Sequence, residues 1–130
     1  MMTISKDNTD MQPIAYDELA ARCLEKIDFI ERVLNSFSSR FAEDLHHLEQ
    51  QIESKDSQAV ARLAHRMKGA CSNTAAHELH NYVSRIERLA RDDRLTEVPS
   101  CIDGIHRAWN DFQHAVADLP AKSLTISAKV

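Results

Sequence analysis

The sequence predicts an all-α protein, an antiparallel up-and-down four-helix bundle with a short extra helix at the N-terminal end. Apolar residues recur at steps of three and four along most of the chain, which is the period of an amphipathic helix. Only 2 glycines and 3 prolines occur in 130 residues, too few for the frequent turns of a β-sandwich or barrel. Hydrophobic residues make up 43% of the chain, enough for the packed core of one domain.

The first two predicted helices precede the middle of the chain. A short helix covers about residues 17–24, with Asp17 as its predicted cap. A long helix follows over about residues 26–54. Its apolar stripe is formed by Ile30, Leu34, Phe37, Phe41, Leu45, Leu48 and Ile52. The polar segment at 54–57 ends this helix.

Three further helices complete the predicted bundle. The third covers about residues 57–74 and is capped by Asp56 or Ser57, and the fourth covers about residues 76–92. The fifth covers about residues 96–118, with Pro99 in its first turn and Pro120 at its end. We therefore expect a flexible leader over residues 1–14, the bundle over 15–119 and a flexible tail over 120–130.

Charge and composition argue against several classes of protein. The net charge of −4 is unfavourable for general nucleic-acid binding. The two glycines do not form a phosphate-binding loop, which argues against a standard nucleotide-using enzyme. The cysteines at 23, 71 and 101 form no disulfide framework or zinc motif. Neither a signal peptide nor a membrane-spanning run is apparent, so we expect a soluble cytoplasmic protein without a membrane partner.

The third helix carries an unusual group of residues on its predicted exposed face. His65 lies roughly 150° from the middle of the apolar stripe and should face solvent. Gly69 and Ala61 lie one turn to either side of it on the same face, and Ser72 lies close to Gly69. A glycine inside a helix costs about 1 kcal/mol relative to alanine. We infer a bare patch where a bulky group can approach the imidazole, with Lys68 beside it to attract an anion such as a phosphoryl group.

These residues carry a resemblance to a known family. The run from His65 through Lys68-Gly69 to Leu79, followed later by Ile86-Glu87, resembles the signature of histidine-containing phosphotransfer (HPt) domains. The resemblance covers about residues 15–118, because the order and length of the helices also fit. Ala75 departs from the pattern, since the family usually has glycine at this helix junction.

The resemblance implies a role for each matching residue. His65 is similar to the phosphoacceptor, which takes the phosphoryl group on Nε2, and Lys68 to the lysine that steadies it. Gly69 matches the glycine that gives a receiver domain access. Glu87 occupies the place of the residue that hydrogen-bonds the histidine ring and would fix its tautomer. The expected receiver-docking residues are Ala61, Arg62, Ser72 and Arg91.

The function implied by the resemblance is that of a phosphohistidine carrier rather than an enzyme. His65 would accept a phosphoryl group from a receiver aspartate and pass it to the aspartate of another receiver. The partners would be receiver domains of a hybrid histidine kinase and of a response regulator. We expect no cofactor in this chain, because the receiver would bring Mg²⁺, and we expect a monomer.

Two alternatives remain open at this point. The first is a helical adaptor that docks receiver domains or kinases without phosphotransfer. The second is a di-iron bundle, because Glu43-x-x-His46 and Asp111-x-x-His114 have the spacing of such sites. His46 and His114 are predicted to lie off the buried stripes, which argues against the metal site. His77 and His80 could form a weak surface metal site.

Overall fold

The computed structural model describes residues 13–24 and 26–129, with side chains up to residue 118. Within these ranges the regular structure consists of five α-helices and one 3₁₀ turn, without strands, which confirms the predicted all-α class. The elements are α1 (Tyr16–Arg22), α2 (Ile27–Glu53), α3 (Ser57–Asn73), α4 (His77–Arg91), the 3₁₀ turn (Leu95–Glu97) and α5 (Val98–Lys129). In this part of the chain, no helix combines the length and the apolar character needed to cross a membrane.

The four long helices contact one another in a closed ring around one core. Helix α2 packs against α3, α3 against α4, α4 against α5, and α5 against α2. The apolar stripe predicted for α2 is buried from Ile30 to Leu48. The rings of Phe41 and Trp109 lie 4.7 Å apart between centroids, and those of Phe37 and Phe112 lie 5.1 Å apart. This aromatic cluster joins α2 to α5 through large buried surfaces.

The turn between α3 and α4 forms with alanine instead of glycine. Ala75 has a φ of 58°, in the left-handed region, and its side chain is fully buried. The N–H of Ala76 donates to the carbonyl of Cys71 at 3.0 Å, which closes the end of α3. A non-glycine residue in this conformation costs roughly 1–2 kcal/mol. The departure at Ala75 therefore keeps the geometry that usually favours glycine.

The ends of the other helices differ in part from the prediction. Asp56 caps α3, because its side chain accepts a hydrogen bond from the N–H of Ala59 at 3.1 Å. At α1, however, the cap position is Ala15 and no side chain caps the helix, so the prediction for Asp17 is wrong. Asp17 lies in the first turn instead, where its charge favours the helix dipole.

Helix α1 is fixed to the junction between α3 and α4. The N–H of Ala15 donates to the carbonyl of Ala75 at 3.0 Å, and His77 Nε2 lies 2.8 Å from Glu18 Oε1. Ile14, which the prediction placed in the leader, is 5% exposed and belongs to the core. Burying this side chain removes apolar surface from water, so the ordered domain begins before residue 15. Residues 1–12 of the predicted leader lie outside the described residues.

Helix α5 also differs from the prediction at its C-terminal end. Its backbone stays helical through Pro120 and as far as Lys129, so the prediction that the helix ends at Pro120 is wrong. Proline has a φ near −65°, which a helix accepts, although it removes one backbone hydrogen bond. The flexible tail expected over residues 120–130 stays a prediction.

Candidate phosphotransfer site

The site is built where α3 packs against α4. His65 of α3 is exposed, with 63% of its side-chain surface open to solvent. Glu87 of α4 is buried, with 6% of the residue exposed. Its Oε2 lies 3.0 Å from Nδ1 of His65, so a buried anion contacts one nitrogen of an exposed ring. A helical projection of α4 predicts Glu87 at the rim of the bundle, roughly 80° from the apolar stripe, whereas the structure places it further inward.

Glu87 collects three positively charged or hydrogen-bonding partners on one carboxylate. Lys68 Nζ lies 2.9 Å from Oε1, and Arg91 donates to Oε2 from Nη2 at 2.7 Å and from Nε at 3.0 Å. Burial by itself raises the pKa of Glu87, but hydrogen bonds from Lys68, Arg91 and His65 outweigh it and lower the pKa to about 2. The carboxylate is therefore ionised at neutral pH and cannot serve as a proton donor there.

The ionised carboxylate defines how His65 is oriented. A carboxylate only accepts hydrogen bonds, so the nitrogen that contacts it must carry the hydrogen. Nδ1 of His65 is that nitrogen, which leaves Nε2 with the free lone pair in the neutral ring. The arrangement thus presents a nucleophilic nitrogen on an exposed side chain.

The two glycines of the chain differ in whether the packing requires them. A Cβ atom placed on Gly69 would meet nothing within 4 Å, so no neighbouring helix requires glycine there. A Cβ atom on Gly104 would come closer than 3.0 Å to the ring of Tyr82, so the packing of α4 on α5 requires that glycine. The packing of the described residues therefore does not explain why position 69 is a glycine, which destabilises a helix relative to alanine.

The predicted docking residues are distributed unevenly over this surface. Arg62 is exposed and has no hydrogen-bond or ion-pair partner among the described residues. Ser72 is also exposed, and its carbonyl accepts a hydrogen bond from Arg22. Ala61 was predicted to be exposed, but only 5% of it is. A helical projection of α3 alone misses this burial, because it takes no account of the C-terminal end of α4, where Ala90 and Arg91 line the same cavity as Ala61.

On its other side, α3 borders a groove that the sequence did not reveal. The groove lies between α2 and α3, has a volume of about 760 Å³ and includes Gly69 in its lining. Phe29, which is 45% exposed, supplies an apolar wall. Arg66 also lines it and is held by the buried Asp44 of α2 at 2.8 Å. Phe29 lies off the regular stripe of α2, and nothing in the periodicity indicated that it lines the same groove as Gly69.

The residues of the metal alternative do not converge. Glu43, His46, Asp111 and His114 are all exposed, whereas di-iron ligands in a bundle project inward. Among the described residues, no group of three or more His, Cys, Asp or Glu side chains could hold a metal ion. Cys71 is buried, and desolvation raises its pKa to about 12, which makes the thiol unreactive.

The low pKa of Glu87 gives a prediction for stability in acid. A carboxyl group whose pKa falls from about 4.5 unfolded to about 2 folded stabilises the native state above pH 4.5 and loses that effect as the pH falls toward 2. This difference corresponds to at most about 3 kcal/mol. We expect Glu87→Gln to remove this part of the pH dependence, measured by urea unfolding at several pH values between 6 and 2.

Glu78→Gln provides the control for this experiment. Burial and then the charge of Asp111 raise the pKa of Glu78, so its effect on stability has the opposite sign. The interpretation of Glu87 would be contradicted if wild type and Glu87→Gln lost stability equally over this pH range.

Comparison with known proteins agrees with this geometry. A model of the Hpt domain family matches residues 32–121, which is more than half of the chain. Among solved structures, the chain is similar to histidine-containing phosphotransfer protein B (HptB) from Pseudomonas aeruginosa PAO1. The two share 25% sequence identity with a TM-score of 0.76, and the match covers 82% of this chain and 92% of that one. No curated protein sequence matches significantly.

Because the family model spans the helices that form the site, the match concerns the domain as a whole rather than one short motif. The similarity to HptB extends over nearly the whole of that structure and agrees with the helical architecture. The chain belongs to the Hpt domain family, the histidine phosphotransfer carriers of phosphorelay signalling.

Proposed function

We propose that this protein accepts a phosphoryl group from a receiver aspartate onto Nε2 of His65 and passes it to the aspartate of another receiver. The observation that carries the proposal is the contact between exposed His65 and buried Glu87. It fixes Nδ1 as the protonated nitrogen and leaves Nε2 available to react. An ordinary surface histidine has no such fixed orientation.

In the proposed reaction, Nε2 attacks the phosphorus of the aspartyl phosphate in line with the bond that breaks. The electron pair of that bond leaves with the aspartate carboxylate, and the N–P bond forms on His65. Phosphoryl transfer has a loose transition state, so positioning and charge stabilisation do most of the catalytic work. We propose that the receiver supplies Mg²⁺ and its acidic pocket, and that this chain needs no cofactor or nucleotide of its own.

Lys68 is the side chain that we propose to steady the transferred group. Its Nζ contacts Glu87 at rest, and the side chain is 33% exposed, so it lies at the border between the interior and solvent. It follows His65 by three positions on α3, the spacing at which helical side chains meet. An incoming phosphoryl group competes with Glu87 for this ammonium group, and the charge attraction favours transfer to His65.

Gly69 and the surrounding polar side chains form the proposed receiver-docking surface. Open space over Gly69 lets a partner approach His65. The side chains of Arg62, Ser72 and Arg91 are exposed on the two helices that carry the site, and Arg62 and Arg91 line one cavity between them. Arginine side chains on this face complement the acidic pocket of a receiver. Ala61 is buried, so we leave it out of the docking surface.

We also propose that the ring of helices α2 to α5 is an antiparallel up-and-down four-helix bundle with α1 as an extra N-terminal helix. The short turns between successive helices favour this arrangement, since they leave room only for a reversal of the chain. The proposed partners are receiver domains of a hybrid histidine kinase and of a response regulator, and the proposed form is a monomer.

The alternative is an adaptor that docks the same partners without phosphotransfer. Such a protein would need the exposed surface at Gly69 but not the buried Glu87 contact with His65. The presence of that contact favours phosphotransfer. The two functions differ in whether His65 takes a phosphoryl group.

We expect phosphoramidate to phosphorylate the wild-type protein and not His65→Gln. The modified residue should be an acid-labile, base-stable phosphohistidine, detected by intact mass and ³¹P NMR. His46→Gln is the matched control, because His46 is an exposed histidine on another helix and should leave labelling unchanged. Equal labelling of His65→Gln and wild type would contradict the assignment. A wild type that stays unlabelled with several phosphorylated receivers would favour the adaptor.

A second prediction separates the effect of Gly69 on a receiver's access to His65 from its effect on the stability of the domain. Gly69→Ala should stabilise the free domain by about 1 kcal/mol, because the new methyl group contacts nothing and alanine favours the helix. The same change should slow phosphotransfer from a receiver at least tenfold, because it narrows the approach to His65. Labelling by the small donor phosphoramidate should change little.

Gly104→Ala is the control for this pair of measurements. It should destabilise the domain, because the methyl group collides with Tyr82, and it should leave the rate per folded molecule unchanged. Receiver-to-His65 transfer that is equally fast in Gly69→Ala and wild type would refute the access role of Gly69.

A further inference from the structure

The contacts of Glu87 bear on the phosphorylated protein as well as the resting one. Lys68 occupies Oε1, while Arg91 and the ring of His65 share Oε2. All of these partners donate hydrogen bonds, and the buried carboxylate accepts them. If Nδ1 of His65 lost its hydrogen, its lone pair would face a carboxylate oxygen at 3.0 Å. The site therefore opposes loss of the Nδ1 proton both in the resting ring and in the phosphorylated ring.

We propose that Glu87 keeps the Nδ1 proton on phosphorylated His65, so that the carrier form is a phosphoimidazolium cation at neutral pH. This inference rests on the proposed function, because it concerns the phosphoryl group on Nε2 of His65. It gives Glu87 a positioning role, since the carboxylate touches the ring and not the phosphoryl group.

The proton and electron balance of the transfer follows directly. Attack by Nε2 uses the ring lone pair to form the N–P bond, while the bonding pair of the O–P bond leaves with aspartate. The ring gains a positive charge, and its Nδ1 proton stays in place against Glu87. In the next transfer the N–P bond breaks, its electron pair returns to Nε2, and the ring is neutral again. No proton has to be exchanged with solvent at either step.

The surrounding charges determine how strongly the ring holds this proton. On α3 and α4, the cations Arg62, Lys68 and Arg91 oppose a positive ring, whereas Glu87 and the phosphoryl group favour it. On α2, Asp44 is bound to Arg66 and does not contact the ring. Oε2 of Glu87 touches Nδ1 directly, whereas Lys68 and Arg91 contact the carboxylate instead of the imidazole. The direct contact is the dominant influence, because charge interactions strengthen as the distance shortens.

A phosphoimidazolium has a consequence for the relay. Its leaving group is a neutral imidazole, which departs more readily than the anion that an unprotonated ring would form. The phosphoryl group on His65 is therefore held ready for onward transfer, and it also hydrolyses faster in water. A neutral amide in place of Glu87 should make phosphorylated His65 longer-lived and slower to give up its phosphoryl group.

The test is an NMR titration of the phosphorylated protein. Wild type labelled with ¹⁵N at histidine is phosphorylated with phosphoramidate, and the Nδ1 shift of His65 is followed from pH 6 to 9. We expect Nδ1 to be protonated at pH 7.5. In Glu87→Gln, we expect the pKa of the phosphorylated ring to fall by about one unit or more, and hydrolysis at pH 7.5 to slow several-fold.

Asp44→Asn is the matched control, because it neutralises another buried carboxylate that does not contact His65. It should leave the ring titration unchanged. Wild-type protein that is phosphorylated but carries no hydrogen on Nδ1 at pH 7.5 would overturn this inference and leave the proposed function standing. So would equal ring pKa values in wild type and Glu87→Gln. Wild-type protein that takes no phosphoryl group from phosphoramidate or from a phosphorylated receiver would overturn the proposed function, and this inference with it.

Discussion

The buried carboxylate of Glu87 is the interaction on which the site depends. A carboxylate in this position is unfavourable unless it is paired, because burial removes its hydration. Lys68, Arg91 and His65 provide that pairing from α3 and α4, which are packed against each other. The same contacts that make the buried charge tolerable also orient the imidazole and place a lysine beside it. The stability of this site and the reactivity that we propose for His65 therefore have one physical origin.

The packing of the helices makes this interaction possible. Glu87 and His65 are 22 positions apart in the chain, and the tight turn around Ala75 joins the two packed helices that carry them. Helix α1 is attached to that turn through the hydrogen bond between Ala15 and Ala75. The strained backbone at Ala75 and the hydrogen bond from α1 are thus both located at the junction that positions α4 against α3. The packed helices hold the buried side of the site in place, and its solvent side is open where Gly69 leaves free space.

Much of this arrangement follows from the sequence, because helical periodicity is a local property. The apolar stripes gave the helices with errors of a few residues at most ends, and one helical projection placed His65 in solvent. Contacts between helices are not local, and there the sequence was less informative. Ala61 is covered by α4, Glu87 lies deeper than the rim, and Ile14 belongs to the core. The projection of one helix takes no account of the neighbouring helix, which explains the cases of Ala61 and Glu87. Ile14 precedes the first helix, and its packing against the core is a non-local contact that the local sequence does not show. Helix α5 is a different case, because the rule that proline ends a helix is local and the helix nevertheless continues through Pro120.

The most direct test of the central claim is the tautomer of His65 in the resting protein. Selective ¹⁵N labelling of histidine and NMR at neutral pH distinguish a protonated from an unprotonated ring nitrogen. If Glu87 orients the ring, the neutral form of His65 carries its hydrogen on Nδ1, and Nε2 has the shift of an unprotonated nitrogen. A neutral His65 with its hydrogen on Nε2, or an equal mixture of tautomers as in a free imidazole, would contradict the role given to Glu87.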